Sequence, residues 1–187
     1  MRELEVRRHS FTKKSSDRGR GSHLSAEGVI AARAVGSRVG PVAYVAASEG
    51  PRTVETAIAM GYAVDDVLPM GSGYVGGVAH HGQWNWPFPF LQYSQLLDQD
   101  SAVAAAAHSE LNLWRLVAGR IPEESKALIV SHGGIIEPTL VAAVPADDYT
   151  SWGKPFSHLD GVRLIFEDGQ FLVAGFDRYS PPGESSE

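Results

Sequence analysis

Arg8-His9-Ser10, Arg52-Thr53 and His132-Gly133-Gly134 lie far apart in the chain, and each follows an apolar run: Leu4 to Val6, Val42 to Ala47, and Ala127 to Val130. In parallel α/β sheets, ligands collect at the carboxyl ends of strands. If the three runs are neighbouring strands, two arginines and two histidines converge on one spot, and an anion is what such a set would bind. Arg8 and Arg52 carry rigid, permanently charged forks that match phosphate oxygens two at a time, which lysine does not do. A helix beginning after His132-Gly133 would add main-chain N–H donors, with glycine allowing close approach of the ligand. His132 is a further donor.

His9 then has the chemistry of a nucleophile. One ring nitrogen attacks phosphorus while the other, protonated, is held by a main-chain carbonyl, and the product is a phosphohistidine. An imidazole with a pKa of about 6.5 is roughly three-quarters neutral at pH 7, and a guanidinium that lowers it by about one unit brings that to about 97%. Arg8, next in sequence, is positioned to have that effect.

The elements that must hold these groups follow from the pattern. Leu4 to Arg7 reads as a strand. From Phe11 to His23 the composition turns to Lys, Ser, Asp, Arg and Gly, a long loop of the kind that is often functional. Leu24-Ser25-Ala26-Glu27-Gly28 opens a helix with Ser25 as its cap and Val29, Ile30 and Ala34 along one side. A strand from Val42 to Ala47 leads to Pro51, which suits a first helical turn, and Val54, Ala57 and Ile58 give that helix its apolar stripe. Residues 70–89, rich in Gly, Trp, Pro and His, have no period and read as a lid or substrate wall. Phe90 to Leu97 is a short helix. Ser101 to Ala118 is a longer one, with Ser101 as cap and Leu111, Trp114 and Val117 or Ala118 inward. Lys126 to Ser131 is the third strand. Pro138 is tolerated only in a first turn, so the next helix begins near Gly134 or Ile135 and runs to about Ala143, with Glu137 also in its first turn. Val162 to Glu167 and Phe171 to Phe176, joined by Asp168-Gly169, form a β-hairpin.

The totals bound the answer. With 187 residues, residues 1–179 suit one domain, followed by a Pro-, Gly-, Ser- and Glu-rich tail over 180–187 that is expected to fray. Zero Cys excludes disulfides, thiolate metal sites and cysteine nucleophiles. The net charge of −6 argues against nonspecific nucleic-acid binding while leaving a small anionic substrate possible. Charged residues run through the first thirty positions, so neither a secretory signal nor a membrane span is expected there, and the reading is cytoplasmic.

Four segments together resemble the histidine phosphatase, or phosphoglycerate mutase-like, superfamily: Arg8-His9-Ser10, Leu24-Ser25-Ala26-Glu27-Gly28, Ser48 to Ala57 around Arg52-Thr53, and Ser131-His132-Gly133-Gly134. The resemblance spans roughly residues 4 to 143. It implies a three-layer α/β/α sandwich with a mostly parallel central sheet, no metal or other cofactor, His9 as phosphoryl acceptor, and Arg8, Arg52 and His132 as its pocket. It also implies a carboxyl that protonates the leaving group and later activates water. Two departures stand out. Ser10 replaces the glycine that follows the nucleophile, and the stretch Leu68 to Gly73, where many members carry Glu, has no carboxylate. Asp17, in the loop after His9, and Glu137 are the replacements at hand, and the proline argument favours Glu137. Ser10, Ser15 and Gly133 count as further substrate contacts.

Other features have bland readings beside sharp ones. His80-His81 is loop surface rather than a metal site, since adjacent residues rarely point at one ion. Trp84, Trp86, Phe88 and Phe90 either line a substrate wall or pack the long loop. Lys13 and Lys14 are a solvated pair that can also steer an anion, and Glu55 supports its own helix. The expectation is a phosphomonoester hydrolase acting on a small phosphorylated metabolite through a phosphohistidine. A mutase, a protein-phosphohistidine phosphatase and a noncatalytic phosphate-binding module remain as alternatives.

Overall fold

The structure, a computed structural model, describes residues 1–13, 22–71, 82, 84–146 and 148–181. Its centre is a six-stranded sheet made of β1 (Arg2–Arg8), β2 (Tyr44–Ser48), β3 (Asp66–Leu68), β4 (Lys126–Ser131), β5 (Gly161–Glu167) and β6 (Gln170–Asp177), in the order β3-β2-β4-β1-β5-β6. The four strands β3, β2, β4 and β1 run parallel, and the β5–β6 hairpin joins β1 antiparallel. Asp168 and Gly169 both take left-handed φ, at 50° and 77°, as a two-residue hairpin turn of the type I′ kind requires.

Register sets the site. Arg8 pairs with Ser131 and Ala47 with Val130, so β1, β4 and β2 end level and the residues that follow them emerge side by side. The strands are central, and β4 is apolar on both faces: Ala127 and Ile129 pack on one side, Leu128 and Val130 on the other. Burial of each larger side chain among these contributes roughly 1.5–3 kcal/mol.

Helices cover both faces. Helices α1 (Ala26–Val39) and α2 (Pro51–Ala59) lie on one; α3 (Pro89–Gln99), α4 (Ser101–Arg120) and α5 (Ile136–Ala143) lie on the other, where Leu111, Trp114, Val117 and Leu140 meet Leu4, Val6 and Ile129. This is the expected α/β/α sandwich with a mostly parallel sheet. Among the described residues no helix is long and apolar enough to cross a membrane.

Several local expectations are corrected. Helix α1 buries Ala31, Ala32, Val35 and Val39, while Ile30 is 70% exposed. Its face is chosen by Gly28 and Gly36, which let it press on Phe11 and Met60: a Cβ would lie 2.1 Å and 1.9 Å from their carbonyl oxygens. Helix α2 buries Arg52, Thr53, Thr56 and Ala57, leaving Ile58 outside, because its inward face is bonded to strand-end main chain rather than packed on apolar core. The cap of α4 is Asp100, which accepts the N–H groups of Ala102 at 2.8 Å and Val103 at 3.3 Å, so Ser101 is the first helical residue instead. Helix α5 begins at Ile136, one residue later than expected, after Gly134 turns the chain at φ 90°, and Pro138 and Glu137 both lie in its first turn. Strand β3, only three residues long, has no counterpart in the sequence reading, since so short a run carries no period.

Candidate active site

His9 is the first residue after β1, and its N–H donates to the Ser131 carbonyl at 3.0 Å, which holds the chain beside the end of β4. Its ring is turned by a second contact: Nδ1 lies 2.7 Å from the Ser10 carbonyl oxygen, so Nδ1 carries the proton and Nε2 is left as the open nitrogen. Ser10 is fully buried, its amide donating to the Thr56 hydroxyl at 2.9 Å and its own hydroxyl donating to the Gly28 carbonyl at 2.7 Å. Ser10 thus fastens the loop after His9 to α2 and α1, with both its amide and its hydroxyl engaged.

His132 emerges from β4 next to it. The two rings meet edge to face, with centroids 5.1 Å apart and an interplanar angle of 65°. His132 Nδ1 is 3.1 Å from the Ser48 hydroxyl at the end of β2, and its Nε2 is buried without a hydrogen-bond partner among the described residues. A buried donor or acceptor without a partner is costly unless a ligand or water completes it.

Two guanidinium groups serve this pair. Arg8 donates to the Phe156 carbonyl at 2.7 Å, lies over the Trp84 ring at 4.7 Å, and is in close contact with Gly133, where a Cβ would stand 3.1 Å from Arg8 Cδ. Arg52, in the first turn of α2 and only 9% exposed, acts electrostatically on His132. A cation is disfavoured at a helix N-terminus, so this placement makes sense as part of an anion site. Burial, then Arg52 and Arg8, hold the His132 imidazole down to about 3. Burial, then Arg8 and His132, hold His9 well below the usual histidine range. Both rings are therefore neutral near pH 7, the state a nucleophile needs.

Glu137 lies in the first turn of α5, close to the Gly134 turn, and is completely buried. One carboxylate oxygen accepts the Gly134 N–H at 2.6 Å and the other the Phe156 N–H at 2.9 Å. Burial pushes its pKa up, while those N–H groups and Arg8 pull it back. Asp17 and Ser15, with Lys14, His80 and His81, lie outside the described residues. Among the described residues no group of three or more His, Cys, Asp or Glu is arranged to hold a metal ion.

The four aromatic residues after residue 83 divide. Trp84 is 46% exposed and covers Arg8, Phe88 is exposed, Trp86 packs edge-on against Tyr93 at 5.2 Å, and Phe90 is fully buried in the core. Glu55 reaches out of its helix to His23 and accepts the Leu24 N–H at 2.7 Å, tying α2 to the start of α1.

A third imidazole is a residue that sequence reasoning missed. His158, in the segment before β5, meets His9 edge to face with centroids 5.3 Å apart and an angle of 70°, and lies 4.9 Å from the Phe11 ring. Burial and then Arg8 lower its pKa to about 4. It follows no apolar run, so the strand-end rule that marks His9 and His132 gives no signal for it.

No protein-family model matches the sequence, and no curated protein matches it. Solved structures do. The mycobacterial glucosyl-3-phosphoglycerate phosphatase in complex with VO3 is similar over 96% of this chain and 100% of its own, with a TM-score of 0.68 and 17% identity. The phosphoserine phosphatase of Entamoeba histolytica in complex with 3-phosphoglyceric acid covers 96% of this chain and 98% of its own, with a TM-score of 0.65 and 16% identity. The protein histidine phosphatase SixA complexed with tungstate covers 93% and 95%, with a TM-score of 0.60 and 12% identity. This chain thus has the fold of these three phosphatase structures.

Proposed function

We propose that this chain is a phosphomonoester hydrolase that works through a phosphohistidine on His9, with a small phosphorylated metabolite as substrate. The observation that carries the reading is the His9 ring: Nδ1 is committed to the Ser10 carbonyl, and Nε2 is open beside a second imidazole and the Arg8 guanidinium. An in-line attack by Nε2 forms the N–P bond as the P–O bond to the leaving group breaks. Arg8, Arg52 and His132 would hold the three remaining oxygens, the two guanidinium groups matching their charge. Water then attacks phosphorus, the N–P bond breaks, its electron pair returns to Nε2, and inorganic phosphate leaves.

Gly133 lets the Arg8 side chain lie against the strand end, and Glu137 braces the Gly134 turn from beneath. With both oxygens on main-chain N–H groups, Glu137 is suited to hold the pocket in shape rather than to exchange protons with a substrate. The test is turnover of p-nitrophenyl phosphate by wild type and His9→Ala, with acid-labile labelled phosphoprotein trapped by rapid quench. Loss of both signals in the variant is expected; equal turnover by the two proteins overturns the reading.

A further inference from the structure

The phosphatase reading needs a group to protonate the departing oxygen, and among the described residues the carboxyls of Glu137, Asp160 and Glu110 are engaged elsewhere. Glu137 spends both oxygens on main-chain amides. Asp160 is 4% exposed, with one oxygen accepting from Ser157 N–H and Arg178 and the other from Tyr179 N–H. Glu110 is 2% exposed and faces the Gly71 amide on the α4 side of the sheet.

His158 differs from all of them. It is half-buried, its ring is in contact with those of His9 and Phe11, and no hydrogen bond among the described residues occupies either ring nitrogen. The segment that carries it is held firmly. Leu159, fully buried, takes a left-handed φ of 66°, a conformation that a Leu adopts only when its surroundings enforce it. The enforcing contacts reach the nucleophile strand: Leu159 N–H donates to the Arg8 carbonyl at 3.2 Å, Arg8 N–H to the Asp160 carbonyl at 3.0 Å, and Arg7 Nη1 to the Leu159 carbonyl at 2.8 Å. The strained turn thus fixes His158 to the same strand end that presents His9.

We infer that His158 is the acid–base residue of the site, giving its proton to the leaving oxygen and taking one from the attacking water. The inference rests on the phosphatase reading. As the P–O bond breaks, the leaving oxygen takes the proton of the His158 imidazolium, and the ring becomes neutral. In the second half-reaction that neutral ring removes a proton from water as its oxygen bonds to phosphorus, and the imidazolium is restored. The proton needed at the outset accompanies the phosphate: the free ring is neutral, held so by burial and Arg8, and a phosphoryl dianion in the cleft offsets the Arg8 charge, so that ester and imidazole together carry one proton between them. Among the described residues the charged or titratable groups acting on the ring are Arg8 and His9, both from β1 and the residue after it.

The experiment compares wild type, His158→Ala and His158→Gln on substituted phenyl phosphates graded from p-nitro to p-methoxy. The readout is kcat/KM, which reports the first phosphoryl transfer. A nitrophenolate leaves without a proton, whereas a methoxyphenolate gains from one. Both variants are expected to lose about tenfold or more on the p-methoxy ester beyond any loss on the p-nitro ester, a part of the roughly 10²–10⁴ that a general acid supplies in full. An equal loss across the series, in folded variants of either kind, reduces His158 to packing and overturns the role. Equal p-nitrophenyl phosphate turnover by wild type and His9→Ala is the distinct result that sinks the phosphohistidine chemistry and the His158 role with it.

Discussion

Glu137 accepts the main-chain N–H of Phe156 at 2.9 Å, a bond between the start of α5 and the segment that leads to His158. Phe156 in turn offers its carbonyl to Arg8 at 2.7 Å. One residue's main chain therefore links a buried carboxylate to the Arg8 guanidinium, and the Gly134 turn is tied to the same carboxylate from the other side. These side chain-to-main chain bonds join the start of α5, the segment before His158 and the end of β1, the last two of them about 150 residues apart.

That frame makes Glu137→Gln informative. The amide nitrogen of Gln would face one of the two N–H donors, leaving a buried donor unpaired at a cost of about 1–3 kcal/mol. Urea unfolding is expected to show a loss of that size. Turnover should fall by the same factor for phenyl phosphates with good and poor leaving groups, because the substitution loosens the frame. A selective loss on poor leaving groups would instead make Glu137 the proton donor.

The parts of this site that the sequence discloses are those set by strand ends. Arg8-His9, Arg52 and His132 each follow an apolar run, and level register between β1, β4 and β2 does the rest. Pro138 locates the first turn of α5, and with it Glu137, by a rule about missing N–H groups. His158 escapes because its place depends on a left-handed Leu159 and on bonds to a strand about 150 residues earlier, neither of which leaves a period or a motif. The inward faces of α1 and α2 escape for a related reason. There, close main-chain approach at Gly28 and Gly36, and threonine hydroxyls bonded to strand ends, outrank the hydrophobic pattern.

Gly133→Ala tests how tightly Arg8 is seated. The added methyl would lie 3.1 Å from Arg8 Cδ, 3.2 Å from Nη1 and 3.3 Å from Cζ, so the side chain must shift to admit it. A displaced fork loses its paired contact with phosphate oxygens, and misplacement on the scale of about 1 Å costs on the order of a hundredfold. The expected result is a thermal midpoint near that of wild type with kcat/KM down by about tenfold to a hundredfold. Unchanged kinetics would mean that Arg8 does not hold the substrate in the seat described.

Glu110 offers a pH test that is independent of catalysis. Its Oε2 accepts the Gly71 N–H at 3.1 Å, and Oε1, Trp114 Nε1 and Ser131 Oγ are all buried without close partners among the described residues. Burial pushes its pKa from 4.5 up to about 7, with Gly71, Trp114 and Ser131 pulling it back. Between those two values the folded chain keeps a proton that the unfolded chain has released, so the unfolded state binds fewer protons and stability falls as pH rises. The loss is complete only above the folded-state value and amounts to at most about 3 kcal/mol. Gln at this position keeps an acceptor for Gly71 and does not titrate. Glu110→Gln is therefore expected to gain on wild type by about 2–3 kcal/mol between about pH 5 and about pH 8 in urea unfolding. A stability difference that stays constant across that range would show that Glu110 ionises in the folded chain as it does in water.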